Sequence, residues 1–248
     1  MTEPNRIDYG SYLRLPELLA LQSPQSSPEH PDELLFIVVH QASELWFKVL
    51  RHEMDTLITA LEQHDTMRAL LATQRVNVLT EIIAQQLTAL DTLPPQRFAQ
   101  FRGYLGSSSG SQSSQFRAIE ATAGLRDPHF LAALAEHGDP PAEVQAALAR
   151  PTLQSLVLAH LAHENVPLVS LYTGPGPTPM FLLVEGLLEF EQRFARWRFL
   201  HVQLVERIIG VGTFGTGGTL GAKYLSRTVS QRFFPELWAV RSEFYGTR

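Results

Sequence analysis

The sequence predicts an all-α fold, built as a single helical domain over residues 1–248. Apolar residues recur every three or four positions through several long segments, which is the spacing of one face of an α-helix. Proline, glycine and serine separate these segments, and none of them has the alternating pattern of a β-strand. Hydrophobic residues make up 44% of the chain, so it contains enough apolar side chains to bury a core.

Two long helices are predicted in the first half of the chain. In the first of them, apolar residues recur at spacings of four and three from Val38 to Leu61. Because this helix is apolar on two sides, we expect it to lie in the interior. The predicted segments of this half are, in chain order, a polar loop at 22–32, a long helix from Glu33, a helix from about Thr66 to Leu90, a shorter helix from Pro94 and Pro95 to Leu105, and a loop at 106–114.

The second half contains the longest predicted helix. Two Asp-Pro pairs also occur there, and Asp suits the N-cap of a helix while Pro suits its first turn. The predicted segments are, in chain order, short helices at Asp127-Pro128 and Asp139-Pro140, a helix from about Thr152, an irregular stretch at 173–179, the long helix from about Thr178 to Ile209, a glycine-rich stretch at 210–221, and two short helices at about Lys223–Gln231 and Pro235–Phe244.

The composition argues against several classes of function. The chain has 20 Lys and Arg residues and 25 Asp and Glu residues, a net charge of −5. This balance lacks the excess of basic charge that is typical of proteins that bind nucleic acid. Because cysteine is absent, disulfides, thiolate zinc sites and thiolate-ligated haem are excluded. The N-terminus is polar and no apolar stretch approaches about 20 residues, so we expect no signal peptide, no membrane span and a cytoplasmic location.

His201 is the first candidate for chemistry. By position alone, a core histidine satisfied by a hydrogen bond is its commoner interpretation. The functional interpretation is an axial haem ligand, because a flat apolar porphyrin needs an apolar wall and neutral imidazole is a usual ligand of iron. The stripe of the longest helix that contains His201 also includes Phe190, Phe194, Trp197, Leu204 and Ile208.

His40 and Arg102 are the second and third candidates. His40 shares a face of the first long helix with Phe36 and Phe47. It is either a structural histidine or a polar group that orients a ligand in an apolar pocket. Arg102 lies beside aromatic residues on a short helix, where a guanidinium either extends to water or binds an anion. A substrate carboxylate held by two parallel hydrogen bonds fits the second case.

Two motif-like strings do not support their usual interpretation. Gly210, Gly212 and Gly215 match G-x-G-x-x-G, but a dinucleotide-binding fingerprint follows a strand, and this string follows a predicted helix. We therefore reject nucleotide binding. The string H-x-x-H-E at 160–164 offers two histidines to a non-haem metal, but no third ligand is evident and most such pairs are surface histidines.

The candidate residues lie in strings that resemble tryptophan 2,3-dioxygenases, in the same order along the chain. The resemblance covers both halves of the chain and is weakest from about residue 121 to 190, where this chain looks shorter than usual. The strings are YGSYLRLPELLALQ (9–22), DELLFIVVHQASELWFK (32–48), FRGYLGSSSGSQSSQFR (101–117), WRFLHVQLVERIIG (197–210), GTGG (215–218) and RFFPELWAVR (232–241).

The resemblance implies a haem pocket between long helices. By motif, His201 matches the axial ligand of the iron of haem b, and Trp197 and Ser109 fall at cofactor-binding positions. The implied reaction uses ferrous haem and O2 to open the indole ring of L-tryptophan across its C2–C3 bond, giving N-formylkynurenine. The oxygen chemistry belongs to the cofactor, and the protein supplies orientation and pocket polarity.

The same resemblance implies the contacts with the substrate. His40 matches a catalytic histidine that contacts the indole nitrogen, and Phe36 and Phe98 match substrate-binding positions. Arg102 matches an arginine that binds the carboxylate, and Thr216 matches the residue that holds the amino-acid end. These roles agree with the needs of an amino acid, which requires a cation for its carboxylate and an apolar slot for its ring.

The resemblance also implies a homotetramer. Tyr9, Tyr12 and Leu13 belong to an N-terminal segment, residues 1–21, and match residues that reach into the site of a neighbouring subunit. Alternatively, this segment packs on its own subunit. Partners other than the substrate and further copies of the chain are not expected, and in particular no nucleic acid and no membrane.

The chain also departs from the family pattern. Ser111 stands where the SGFQS string of the family has Phe, and Phe214 lies in a glycine loop that is longer by one residue. These departures leave open a substrate that is a substituted indole or related aromatic amino acid, with insertion of one oxygen atom to give an oxindole. The remaining alternatives are a haem sensor without turnover and a non-haem metal protein that uses His160 and His163.

Overall fold

Helices make up all the regular structure of the described residues. The computed structural model describes residues 7–126, 128–135, 138–213, 215 and 221–245. These ranges contain helices, turns and loops but no β-strand, which confirms the all-α prediction. In chain order the α-helices are α1 (Tyr9–Leu13), α2 (Leu15–Leu18), α3 (Glu33–Glu62), α4 (Thr66–Gln86), α5 (Pro95–Phe101), α6 (Ser114–Ala123), α7 (Pro128–Ala135), α8 (Ala142–Ala149), α9 (Leu153–His163), α10 (Ser170–Thr173), α11 (Pro179–Ile209), α12 (Gly221–Thr228) and α13 (Pro235–Tyr245). Three 3₁₀ helices within the same ranges cover Leu87–Thr92, Arg102–Leu105 and Gly110–Gln112.

The three long helices α3, α4 and α11 form the centre of the fold. Helix α4 packs along both α3 and α11, and the apolar side chains between them are buried. Helices α4 and α11 lie close together at Gly186, where a Cβ atom would be only 2.8 Å from Cγ2 of Thr73. Glycine at this position therefore allows the two helices to pack closely.

Helix α11 begins and ends where its sequence predicts. The Thr178 hydroxyl accepts a hydrogen bond from the backbone N–H of Phe181 (3.2 Å), and Pro179 occupies the first turn. The helix ends at Gly210, whose φ of 86° favours glycine. Its 31 residues span about 46 Å, so α11 can carry His201 near one end and a core contact near the other.

Two predicted helix boundaries differ from those in the structure. The helix predicted to reach Leu90 ends at Gln86 and continues as the 3₁₀ turn Leu87–Thr92, a tightening that is frequent at helix ends. The helix predicted to begin at Asp139-Pro140 begins instead at Ala142, so the predicted start is wrong. The reason is a second proline directly after Pro140, because a residue before proline is driven out of helical geometry.

One apolar stripe of α3 lies on the surface. Val38 is 43% exposed, Leu45 52% and Val49 40%, whereas Leu50 and Leu57 on a different face are fully buried. The expectation that α3 is interior on both sides is therefore wrong for this part of the helix, because α4, α6 and α9, which pack against α3, leave this stripe uncovered. None of the described helices combines the length and the apolar character that a membrane span requires.

Candidate functional site

A cavity of about 1440 Å³ lies between α3, α5, the serine loop (residues 107–113) and α11. Pockets for drug-sized ligands usually measure about 300–1,000 Å³, so this cavity has room for more than one amino acid. The imidazoles of His40 and His201 both line it. Its wall is mainly apolar and includes Phe36, Val39, Leu87, Leu90, Phe98, Leu105, Leu204 and Ile208.

His201 enters the cavity from α11. Its ring stacks on that of Trp197, one turn earlier, with 5.4 Å between the ring centroids and 26° between the planes. Burial lowers the pKa of His201 to about 4, and the charge of His40 adds to the effect. The ring is therefore neutral near pH 7, which is the form of imidazole that binds a metal.

His40 enters the same cavity from α3. Its Nδ1 atom donates a hydrogen bond to the carbonyl oxygen of Phe36 (2.7 Å), because a carbonyl oxygen can only accept. Burial also lowers the pKa of His40, although Phe36 and the carboxylate of Glu44 oppose the shift. The neutral ring with its proton on Nδ1 leaves Nε2 as a hydrogen-bond acceptor.

Aromatic side chains form the wall beside His40. The ring centroid of Phe36 lies 4.2 Å from that of His40, 5.6 Å from that of Phe98 and 5.8 Å from that of Phe101. Phe101 is fully buried, and Phe36 and Phe98 line the cavity. The structure thus brings Phe36, His40 and Phe98, all of them predicted site residues, into one apolar slot.

Arg102 and Ser109 line the cavity as well. Arg102 begins the 3₁₀ turn that follows α5, so the end of that helix carries it to the cavity. The Ser109 hydroxyl lies 2.9 Å from the hydroxyl of Ser111 and accepts from its backbone N–H at 3.3 Å. These bonds shape the serine loop, and Ser111 itself also lines the cavity.

The N-terminal candidates lie elsewhere. Tyr9 is 76% exposed, Tyr12 74% and Leu13 39%, and none of the three lines the cavity of its own chain. Thr216 and Phe214 lie outside the described residues. The roles predicted for Tyr9, Tyr12, Leu13 and Thr216 remain predictions.

His160 takes part in a hydrogen-bonded cluster, whereas the hydrogen bond of His163 goes to the neighbouring Glu164. His160 is fully buried, and its two ring nitrogens lie 2.8 Å from the Thr66 hydroxyl and 3.2 Å from Nδ1 of His64. The interpretation of the pair as surface histidines is therefore wrong for His160. Among the described residues, no group of three or more His, Asp or Glu side chains has the geometry to hold a metal ion.

Sequence reasoning missed an ionic cluster at the edge of the cavity. Glu120 bonds to Arg117 and to Arg198, and all three residues line the cavity. The available signal was that Glu120 and Arg198 each lie directly between two apolar residues, because a charged residue among apolar neighbours is buried only with a partner. Which residue would be that partner is not evident from the sequence.

The fold and the cavity define a helical protein with a large internal site that presents two neutral imidazoles to its ligands. A sequence model of the family described as Tryptophan 2,3-dioxygenase matches residues 2–136 and 155–244. The chain belongs to this family. The stretch between the two matched ranges falls within residues 121–190, where the resemblance is weakest.

Individual relatives agree with the family match. The chain is 39% identical to a tryptophan 2,3-dioxygenase of Kineococcus radiotolerans, over 96% of this chain and 91% of the relative. It is also 39% identical to one of Anaeromyxobacter dehalogenans, over 97% and 99%, and 35% identical to one of Serratia proteamaculans, over 96% and 93%. The similarity thus extends over nearly the full length of each protein.

Proposed function

We propose that this chain is a haem-dependent dioxygenase that inserts both atoms of O2 across the indole C2–C3 bond of L-tryptophan to give N-formylkynurenine. Its membership of the tryptophan 2,3-dioxygenase family supports the reaction. The observation that carries the proposal in this chain is the pair of neutral imidazoles, His40 and His201, in one apolar cavity.

The residues of the cavity fit haem b. His201 is neutral and lies in an apolar wall, which fits a residue that would hold the haem iron. Nε1 of Trp197, beside His201, is a buried donor with no hydrogen-bond partner among the described residues, which fits a site completed by a bound group. His201 would hold the iron, and Trp197 and Ser109 would contact the cofactor. When bound, haem supplies the activation of O2.

The other residues fit the binding of tryptophan. Nε2 of His40 is an acceptor in an apolar slot, so it suits the N–H of an indole ring. Phe36 and Phe98 would pack on that ring. Arg102 would bind the carboxylate, since its guanidinium offers paired donors to two oxygen atoms. The protein thereby orients the C2–C3 bond and excludes water from it.

The assembly follows from the same proposal. We propose a homotetramer of single-domain chains in which the segment 1–21, with Tyr9, Tyr12 and Leu13, closes the site of a neighbour. The exposure of these three side chains supports that role, because they do not pack into a core of their own chain. Thr216 would hold the amino-acid end of the substrate. The cytoplasmic location expected from the sequence stays a prediction.

Turnover in labelled oxygen tests the reaction. The reduced protein with L-tryptophan and ¹⁸O2 should give N-formylkynurenine that carries two labelled atoms. A product with a single labelled atom would instead favour the monooxygenase of substituted indoles. The protein as purified should show a Soret band that is lost in the His201→Ala variant. A colourless protein, or a band that this substitution leaves unchanged, would contradict the assignment of His201.

A further inference from the structure

Two walls of the cavity are joined by the buried carboxylate of Glu120. Its Oε1 accepts a hydrogen bond from Nη2 of Arg198 (2.6 Å), and its Oε2 accepts from Nη1 of Arg117 (2.9 Å). The side chains of Glu120 and Arg198 are only 1% and 3% exposed. Each oxygen of the carboxylate thus serves a different guanidinium, away from bulk water.

The guanidinium of Arg117 also contacts the serine loop. Nε of Arg117 donates to the carbonyl oxygen of Ser111 (3.4 Å), and the Ser111 hydroxyl lies 2.9 Å from that of Ser109. Ser109 and Ser111 both line the cavity. The position of this wall therefore depends on Arg117, and through it on Glu120.

Arg198 lies on α11, the helix that carries His201. The guanidinium carbon of Arg198 lies 5.0 Å from the ring centroids of both Phe194 and Phe233, and its Nη1 donates to the carbonyl oxygen of Gln231 (3.4 Å). These two ring contacts and the hydrogen bond hold the side chain in place. The preceding residue is Trp197, whose ring stacks on His201. Glu120 is thus anchored to α11 one turn before His201.

From these contacts we infer that Glu120 is a positioning residue for the reaction. Through its bonds to Arg117 and Arg198, it fixes the position of the serine loop relative to the segment of α11 that carries Trp197 and His201. A buried ion pair is weak support for stability alone, because apolar side chains of similar volume stabilise a core as well or better. The inference rests on the proposed function, since the relative position of the serine loop and α11 shapes the space for the proposed cofactor and substrate.

Two glutamate substitutions separate positioning from plain stability. Glu120→Gln keeps the length of the side chain but removes the negative charge that pairs with Arg117 and Arg198. Glu191→Gln is the matched control. Glu191 is also 1% exposed and binds Arg232, Trp238 and two backbone N–H groups, but it does not line the cavity. The unmodified holoenzyme, measured in parallel, tests the proposed function independently of either variant.

We expect both variants to unfold at lower temperature, and only Glu120→Gln to alter the site. In that variant haem dissociation and the KM for L-tryptophan should each rise about tenfold, a change equal to about 1.4 kcal/mol. Its ferric/ferrous reduction potential should also rise, because the substitution removes a negative charge from the wall of the proposed haem site and so favours the reduced state. A merely structural residue would leave the potential unchanged.

The opposite results would overturn the inference. If haem dissociation, KM and potential in Glu120→Gln equal those of Glu191→Gln, then Glu120 is only a core ion pair. Should Glu120→Gln fail to fold, Arg117→Gln removes the loop contact and one bond to Glu120 but keeps the bond between Glu120 and Arg198, and its side chain is 14% exposed. That variant should fold and still raise KM, and an unchanged KM would refute the role of the link.

Discussion

The Nδ1 atom of His40 lies 2.7 Å from the carbonyl oxygen of Phe36, one turn earlier on α3. The ring of Phe36 also packs against the imidazole, with 4.2 Å between the centroids. The backbone of Phe36 therefore fixes the tautomer of His40, and its side chain limits the orientation of the ring. Nε2 of His40 is left as the acceptor that an indole N–H would use.

Replacing His40 by Ala tests this acceptor. The variant should lose about tenfold in kcat/KM for L-tryptophan, the value of one hydrogen bond of about 1.4 kcal/mol. An analogue that carries a methyl group on the indole nitrogen cannot donate this bond, so the substitution should leave its slower turnover nearly unchanged. Equal losses for the two substrates would show that His40 acts in another way.

Replacing Arg102 by Ala tests the carboxylate contact. Affinity for L-tryptophan should fall by about 2–5 kcal/mol if the carboxylate stays buried and unpaired, while haem content stays constant. Arg196→Ala is a suitable control, because Arg196 is 62% exposed on α11, pairs with Glu81 and does not line the cavity. Substrate titrations of both variants give the comparison. Unchanged affinity in the Arg102 variant would favour a haem sensor without turnover.

Removing residues 1–14 tests the proposed exchange between subunits. Tyr9 and Tyr12 are 76% and 74% exposed and do not line the cavity of their own chain. Their deletion should therefore weaken assembly and raise KM while haem stays bound. Light scattering and turnover of the truncated protein would measure both effects. A monomer with full activity would refute the contribution of a neighbouring subunit.

Replacing Ser111 by Phe tests what sets the size of the site. Ser111 lines the cavity, and a Phe at this position would fill part of it, since its side chain buries on the order of 150–250 Å². The unmodified protein should therefore accept tryptophan with an extra methyl on the ring or side chain. Ser111→Phe should lower turnover of that substrate about tenfold, or by about 1.4 kcal/mol, and spare tryptophan. Equal losses on both would show that Ser111 does not set the size.

The buried His160 makes the stability of the protein depend on pH. Burial lowers its pKa, and the charge of His64 adds to the shift. As pH falls, the unfolded chain therefore binds a proton before the folded protein does. The resulting stability is present above about pH 6.5, the usual value for histidine, and is lost as pH falls below it.

Urea unfolding at about pH 7.5 and about pH 5.5 measures this dependence. The decrease in unfolding free energy between the two should be smaller in His160→Gln, whose amide can still bond to Thr66. His52→Gln provides the control, because His52 is exposed on α3 and lies outside the cluster. If His160→Gln keeps the full pH dependence of the unmodified protein, other groups are responsible for it.

Local chemistry in the sequence determined the helices and the main candidates. Thr178, Pro179 and Gly210 mark the ends of α11 because capping and backbone freedom depend only on neighbouring residues. The aromatic stripe around His201 was evident from spacing alone. The hydrogen bond from His40 to Phe36 could also be predicted from the sequence, because residues four apart on a helix lie on the same face.

The tertiary structure alone decided which faces and which charges meet. Helix α3 is apolar on two sides, and periodicity does not indicate that the side with Val38 and Leu45 is the exposed one. Glu120 and Arg198 are 78 residues apart, and only the packing of α6 and α11 in the same core makes them a pair. Helix propensity and capping act over one turn, whereas burial and ion pairing depend on the arrangement of the whole chain in space.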